Sequence, residues 1–191
     1  FELFADIYPT FIHDFALPIF TLSEENIVLA STAPNEFVSE VHKLGSFDTS
    51  QLSIDTLIHN VSKSFPQTAE VPFQVIQEFL GTEIQSGQIF GALQLLTACS
   101  ATLVETNAEA FYEFVEVISS TFFEYEDEIA RASAFMFIAN TPKYKAPLEK
   151  LAQIIPHVED PSRLVQYYTA VCISNSITGR NDVSTEDLLS V

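Results

Sequence analysis

Hydrophobic side chains recur at steps of three and four residues along most of the chain. The first stretch shows this most clearly, with aromatic residues at the repeating positions: Phe1, Phe4, Tyr8, Phe11 and Phe15. Side chains at this spacing share one face of an α-helix. Similar patterns follow around residues 37–44, 52–61, 71–80, 89–99, 111–122, 129–139, 148–155 and 164–172. The pattern predicts helices throughout and requires no strand.

Capping residues and prolines separate the hydrophobic segments. Ser23 and Ser184 each precede a short helical pattern and are typical N-cap residues. Thr106 and Glu109 have the spacing of a capping box. Pro66 predicts the end of another helix, because proline disrupts a helix interior. The connections between helices are therefore short and polar.

Medium-length helices with short connections predict antiparallel neighbours. Two architectures fit this pattern, a closed helical bundle and a row of stacked helix pairs, which is an α-solenoid. The pairs recur about every 35 to 45 residues, the spacing of HEAT and armadillo repeats, and in this architecture the chain resembles those families. The resemblance rests on no specific motif and implies no functional residue.

We expect residues 1–191 to form a single all-helical domain. No low-complexity segment or flexible linker interrupts the helical pattern. The chain begins with Phe1, and its one methionine, Met136, is internal. From this we expect the domain to be a fragment of a larger protein.

The chain carries a net charge of −18, from 26 acidic and 8 basic side chains. Binding to nucleic acid or to an anionic membrane surface requires clustered Lys and Arg, so we expect neither. We also expect no membrane-spanning segment. A negative field attracts basic proteins, which favours a basic protein or peptide as partner. The alternative is that the charge serves solubility alone.

Two cysteines, Cys99 and Cys172, lie far apart in the sequence. This spacing favours two buried thiols in a reducing compartment over a disulfide or a metal site. The first residues carry Glu2, Asp6 and Asp14 without a basic segment, which is untypical of a signal peptide. We therefore expect the protein in the cytoplasm or the nucleus.

Candidate catalytic residues do not form a recognisable motif. The histidines are scattered, without metal-ligand spacing: His13, His42, His59 and His157. No nucleophile elbow, phosphate-binding loop or dinucleotide fingerprint is present. Gly87 and Gly91 are spaced for a close helix crossing. The sequence predicts no enzyme activity, no metal and no cofactor.

Acidic residues dominate the middle of the chain, since no Lys or Arg occurs from Ser64 to Ala130. Glu105, Glu109, Glu113 and Glu116 have the spacing of one helix face. We predict a partner-binding acidic surface with these members: Glu109, Glu113, Glu116, Glu124, Glu126, Asp127 and Glu128. The alternative for residues 124–128 is a solvated helix end.

Basic residues concentrate further along the chain, at Lys143, Lys145, Lys150 and Arg163. In a solenoid this group could contact the acidic face of a neighbouring helix pair. Its position predicts charge complementarity between successive parts of the chain.

The leading functional prediction is a non-enzymatic scaffold that binds a basic protein or peptide segment. Nuclear transport receptors, assembly chaperones and translation-factor scaffolds use acidic helical repeats in this way, which is an analogy at the level of the fold. The alternative is a structural subunit of a stable multiprotein complex, held by apolar contacts through its phenylalanine face. An enzyme would require convergent polar groups, which the sequence does not reveal.

Overall fold

A computed structural model describes residues 2–42, 49–142 and 144–178, and this part of the chain is helical without any strand. The α-helices are α1 (Glu2–Phe11), α2 (Leu17–Phe20), α3 (Glu24–Thr32), α4 (Pro34–His42), α5 (Thr49–Ser64), α6 (Glu70–Leu80), α7 (Ser86–Thr106), α8 (Ala108–Phe122), α9 (Glu128–Asn140), α10 (Leu148–Ile154) and α11 (Arg163–Ile177). The predicted all-α class is confirmed. The short helix predicted after Ser184 lies outside the described residues.

Side-chain caps fix the starts of α3 and α9, of which the cap at Ser23 was predicted from the sequence. The Ser23 hydroxyl accepts a hydrogen bond from the backbone N–H of Asn26 at 3.2 Å. At α9, the Asp127 carboxylate accepts bonds from the N–H groups of Ile129 and Ala130, at 2.8 and 3.0 Å. Each bond satisfies a backbone donor that the helix itself leaves without a partner.

The boundary between α7 and α8 differs from the prediction. Asn107, rather than Thr106, caps α8, and its side-chain oxygen accepts from the N–H of Ala110 at 3.3 Å. The Thr106 hydroxyl instead donates to the carbonyl of Thr102 inside α7. Glu105 therefore belongs to the last turn of α7 and does not continue the acidic row of α8.

Helices α7 and α9 form the centre of the fold. Helix α9 packs between α7 and α11, and α5 and α2 pack against α7. Helix α8 contacts both central helices, while α3 contacts α9 and α4 contacts α11. Within α9 every residue from Ile129 to Ala139 is buried except Arg131, as expected for a helix that is surrounded by protein. This arrangement of alternate helices is compatible with both predicted architectures.

Helix α7 is long and apolar enough to cross a membrane by length and composition, and among the described helices it alone meets that test. The fold buries 67% of its most apolar window. Core helices of soluble proteins pass the same test. The prediction that no segment spans a membrane stays a prediction.

Two glycines allow α7 to approach the chain that leads from α2 to α3. A Cβ atom at Gly91 would lie 2.3 Å from the Phe20 carbonyl oxygen, and one at Gly87 would lie 2.9 Å from the Ile27 side chain. The Gly87 carbonyl accepts a hydrogen bond from the N–H of Leu22 at 3.1 Å. This geometry confirms the close crossing predicted from the spacing.

The aromatic stripe at the start of the chain is divided between core and surface. A π-helical turn, Ile12–Ala16, joins α1 to α2, and the buried face runs through Tyr8, Ile12, Ala16 and Phe20. Phe11 stacks between Tyr8 and Phe15, while Phe15 itself is 61% exposed. Phe15 therefore lies outside the buried face to which Tyr8 belongs. The side chains of Phe1 and Phe4 lie outside the described set.

Candidate functional site

The residues predicted to form one acidic surface occupy two separate places. Glu109, Glu113 and Glu116 lie on one face of α8, whereas residues 124–128 follow its C-terminus. At 1.5 Å per residue, Glu109 and Glu113 lie about 20 and about 14 Å along the helix axis from Phe122, the last residue of α8. Glu116 lies about 9 Å from that end, so Glu109 and Glu113 are the members that are well separated from residues 124–128.

The residues of the 124–128 run mostly stabilise the turn between α8 and α9. Asp127 is the N-cap of α9. Glu124 Oε1 lies 3.5 Å from Nε2 of His157, which is largely buried. The carbonyl of Glu126 accepts a hydrogen bond from Arg131 at 2.9 Å. Glu124, Glu126 and Asp127 thus contribute to the turn between α8 and α9, and their role in binding a partner stays a prediction.

Glu128 takes part in a different hollow, near the start of α4. That hollow also includes Glu36, Pro161 and Arg163. Its one arginine, Arg163, offsets the charge of one of the two carboxylates, Glu36 and Glu128. Glu128 is thus separated from the α8 row in both position and environment.

Glu116 is paired within the chain. Lys150 Nζ donates to Glu116 Oε2 at 2.8 Å and to Gln153 Oε1 at 2.9 Å. The Lys150 side chain is only 3% exposed, although that of Glu116 is 65% exposed. Because Lys150 already neutralises it, Glu116 adds little to a surface that attracts cations.

Other basic residues have different partners. Lys145 Nζ donates to the carbonyl of Asn175, and Arg163 is exposed at the start of α11. Lys143 lies outside the described residues. Lys150 thus contacts the acidic face of a neighbouring helix, as the sequence suggested for its group, and does so within the chain.

Glu113 lines a groove between α6 and α8 with a volume of about 250 Å³. Apolar residues form part of its lining, and polar residues of α6 and α8 complete it: Glu70, Phe73, Gln74, Gln77, Leu103, Ala110, Glu113, Phe114 and Val117. None of these described lining residues is basic. The groove therefore combines an apolar interior with carboxylates contributed by two helices.

Glu70 and Glu113 give the groove its negative charge. The amide of Asn107 donates to Glu70 Oε1 at 2.6 Å, which holds this carboxylate beside the start of α8. Glu113 and, one turn earlier, Glu109 are exposed. A carboxylate next to an apolar surface can bind the charged end and the methylene stem of a Lys or Arg side chain.

The sequence patterns did not predict that α6 contributes to this groove. Glu70, Gln74 and Gln77 follow the spacing of one helix face, so the polar face of α6 could be recognised. The position of this face opposite α8 could not be recognised, because that position depends on how the helices pack.

Within the described ranges, no group of three or more His, Cys, Asp or Glu side chains could hold a metal ion. Cys99 and Cys172 are both buried free thiols, which confirms their predicted burial. The chain matches no protein-family model, no curated protein and no solved structure.

Proposed function

We propose that this protein is a non-enzymatic scaffold that binds a basic protein or peptide segment in the groove between α6 and α8. The observation that carries the proposal is the groove itself, where Glu70 and Glu113 line a partly apolar depression without a basic neighbour among the described lining residues. The proposal includes a HEAT- or armadillo-like stacking of helix pairs, and a location in the cytoplasm or the nucleus.

Two physical features support this function. The net charge of −18 produces a negative potential that raises the association rate of basic partners. Phe73 and Phe114, packed edge to face at 4.9 Å, give the groove a rigid aromatic wall. Charge would thus guide the partner, and the apolar interior would hold it.

Fluorescence anisotropy with labelled peptides tests the proposal. Three peptides of equal length would alternate leucine with lysine, glutamate or serine. We expect only the lysine peptide to bind, and we expect its affinity to fall when salt is raised from about 50 to about 300 mM, because salt screens exposed charges.

The double variant Glu109→Gln/Glu113→Gln should weaken binding of the lysine peptide by about fivefold or more, since it removes the carboxylate of Glu113 from the groove and that of Glu109 one turn away. Glu83→Gln/Glu159→Gln changes the net charge equally at exposed positions outside the groove and serves as the control. Equal weakening by both double variants would show that only the overall field acts, and the groove assignment would then be wrong.

A structural subunit of a stable complex is the second candidate, and exposed apolar residues favour it. Ile7, Phe15 and Ile19 lie on the same N-terminal helical run and are all exposed. A permanent partner would cover them. A partner that stays bound at high salt, and is released by Phe15→Ser but not by Glu113→Gln, would support this candidate over the first.

A further inference from the structure

A second cleft lies among helices α2, α5, α7 and α9. Its volume is about 220 Å³, below the roughly 300–1,000 Å³ of sites for drug-sized ligands. Three helices each contribute a pair of residues one turn apart, and α2 adds Phe20: Gln51 and Asp55, Gln94 and Thr97, Met136 and Asn140, with Leu52 beside them. The cleft has room for one side chain or a small ligand.

Two polar side chains of the cleft, Thr97 and Gln51, present acceptors because they donate to backbone carbonyls. The Thr97 hydroxyl donates its hydrogen to the backbone carbonyl of Gln94 at 2.6 Å, which leaves its oxygen lone pairs as acceptors. The side-chain N–H of Gln51 donates to the carbonyl of Ile19 at 2.8 Å, which leaves the Gln51 carbonyl oxygen available. Each of these two hydrogen bonds within the protein occupies one side-chain donor of the cleft.

Asp55 supplies the negative charge of this cleft. The carboxylate is half-buried, and burial raises its pKa, an effect that nearby His59 reduces. Among the described residues no donor hydrogen-bonds to it. A carboxylate that has lost water without gaining a donor is costly, and a cationic ligand would remove that cost.

Apolar surface accompanies the acceptors. Phe20, Leu52 and Met136 line the same cleft. A methylene chain fits against such side chains, while a compact ammonium group has three donors for the acceptors around Asp55. The lining thus matches both parts of an alkylammonium ion.

We propose that this cleft binds a protonated alkylamine, with the ammonium group on Asp55 and Thr97 and the alkyl stem against Met136 and Leu52. The ammonium could belong to a free polyamine or to a lysine side chain. The site is independent of the α6–α8 groove, since Gln94 and Thr97 lie on the side of α7 away from Leu103, which lines that groove.

Met136 provides a direct measurement, because it is the one methionine in the sequence and it lines the cleft. Labelling the methionine methyl group with carbon-13 gives this residue its own NMR signal, which Met136→Leu would assign. The probes are 1,5-diaminopentane, a capped glycine–lysine–glycine peptide, and 1,5-pentanediol, which has the same chain length without the charge.

We expect the diamine or the peptide to shift the Met136 signal in a saturable way, and the diol to leave it unchanged. Tighter binding of the diamine would identify a free polyamine as the ligand, and tighter binding of the peptide a lysine side chain. Asp55→Asn should weaken binding about tenfold or more, because it removes a charged hydrogen-bond acceptor.

Glu83→Gln is the matched control, with the same loss of one charge at an exposed position away from the cleft. It should bind the amine as the unchanged protein does. Failure of both amines to shift the Met136 signal would overturn the proposal. So would an equal shift by the diol, or equal binding by the Asp55→Asn variant.

Discussion

The buried ammonium group of Lys150 donates a 2.8 Å hydrogen bond to Glu116, which connects α10 to the acidic face of α8. Glu113, one turn earlier on that face, instead lines the α6–α8 groove. Two glutamates that look equivalent in the sequence therefore have different roles, one in stability and one in proposed binding.

Replacing each glutamate by alanine separates these roles. Glu116→Ala leaves the Lys150 charge buried with Gln153 as its remaining partner among the described residues, so the free energy of unfolding should fall by about 1–3 kcal/mol. Glu113→Ala should change stability by no more than about 0.5 kcal/mol, as is usual for exposed positions. Urea denaturation followed by circular dichroism measures both.

A double variant checks the cause of the Glu116 effect. Adding Lys150→Met to Glu116→Ala removes the uncompensated charge, so the double variant should be more stable than Glu116→Ala alone. If the double variant lost as much unfolding free energy as Glu116→Ala and Lys150→Met lose separately when summed, Lys150 and Glu116 would not be energetically coupled.

Arg131 should be the most costly charged side chain to remove. Its Nε and Nη2 atoms donate to Asp160 at 2.9 and 3.0 Å, and Nη1 donates to the carbonyls of Tyr125 and Glu126. Arg131→Met would leave a buried carboxylate without its cation, at a cost of about 3–5 kcal/mol. Thermal and urea unfolding test this.

Arg163 provides the control for that prediction, since it is exposed at the start of α11. Arg163→Met should alter stability by about 0.5 kcal/mol or less. Similar losses in both variants would mean that the lost positive charge, rather than the Arg131–Asp160 pair, determines stability.

Gly91 should tolerate alanine much less well than Gly87. A Cβ at Gly91 would meet the backbone of Phe20 and Thr21, at 2.3 to 2.7 Å, and the backbone cannot easily move. A Cβ at Gly87 meets first the end of the Ile27 side chain, which can rotate. We expect a loss of about 3 kcal/mol for Gly91→Ala.

For Gly87→Ala we expect a change within about 1 kcal/mol, since alanine's better helix propensity offsets part of the crowding. Equal losses at both glycines in urea denaturation would contradict the close crossing of α7 and α2 at Gly91.

Both cysteines should resist thiol reagents in the native protein. Burial raises the pKa of Cys99, and it raises the pKa of Cys172 to about 12. Only the thiolate reacts readily, so labelling with iodoacetamide near pH 8 should proceed no faster than unfolding. Both thiols should react in guanidinium chloride. Rapid native labelling of either residue would show that its helix opens locally.

Local features of the fold could be predicted from the sequence. Ser23, Gly87 and Gly91 act through neighbouring backbone groups, so their types and spacing were informative. The start of α8 was predicted one residue too early, because Thr106 and Asn107 both suit an N-cap and only the observed backbone distinguishes them.

The two candidate sites could not be predicted in the same way. The α6–α8 groove and the cleft among α2, α5, α7 and α9 that contains Asp55 each combine residues from helices far apart in the sequence. Periodicity identifies the polar face of each helix but not the helix that it meets. Gln51, Gln94 and Asn140 are ordinary polar residues until packing brings their helices together.

The pH dependence of stability provides a final prediction about Asp55. Burial raises its pKa above the ordinary value of 3.8, and nearby His59 acts in the opposite direction. The folded protein therefore binds this proton more tightly than the unfolded chain. Between the two pKa values its contribution to stability falls as pH rises, and above the folded pKa the full cost of the charge is present.

Asp55→Asn should consequently be more stable than the unchanged protein near pH 7, and this advantage should shrink toward about pH 3, where the carboxyl is protonated in both states. Asp6→Asn, an exposed position, controls for the loss of one negative charge from the whole chain. Urea denaturation across this pH range measures the difference. A stability gain that accompanies the loss of amine binding would indicate that Asp55 is retained for its ligand, because such a residue stabilises the complex at the expense of the free fold.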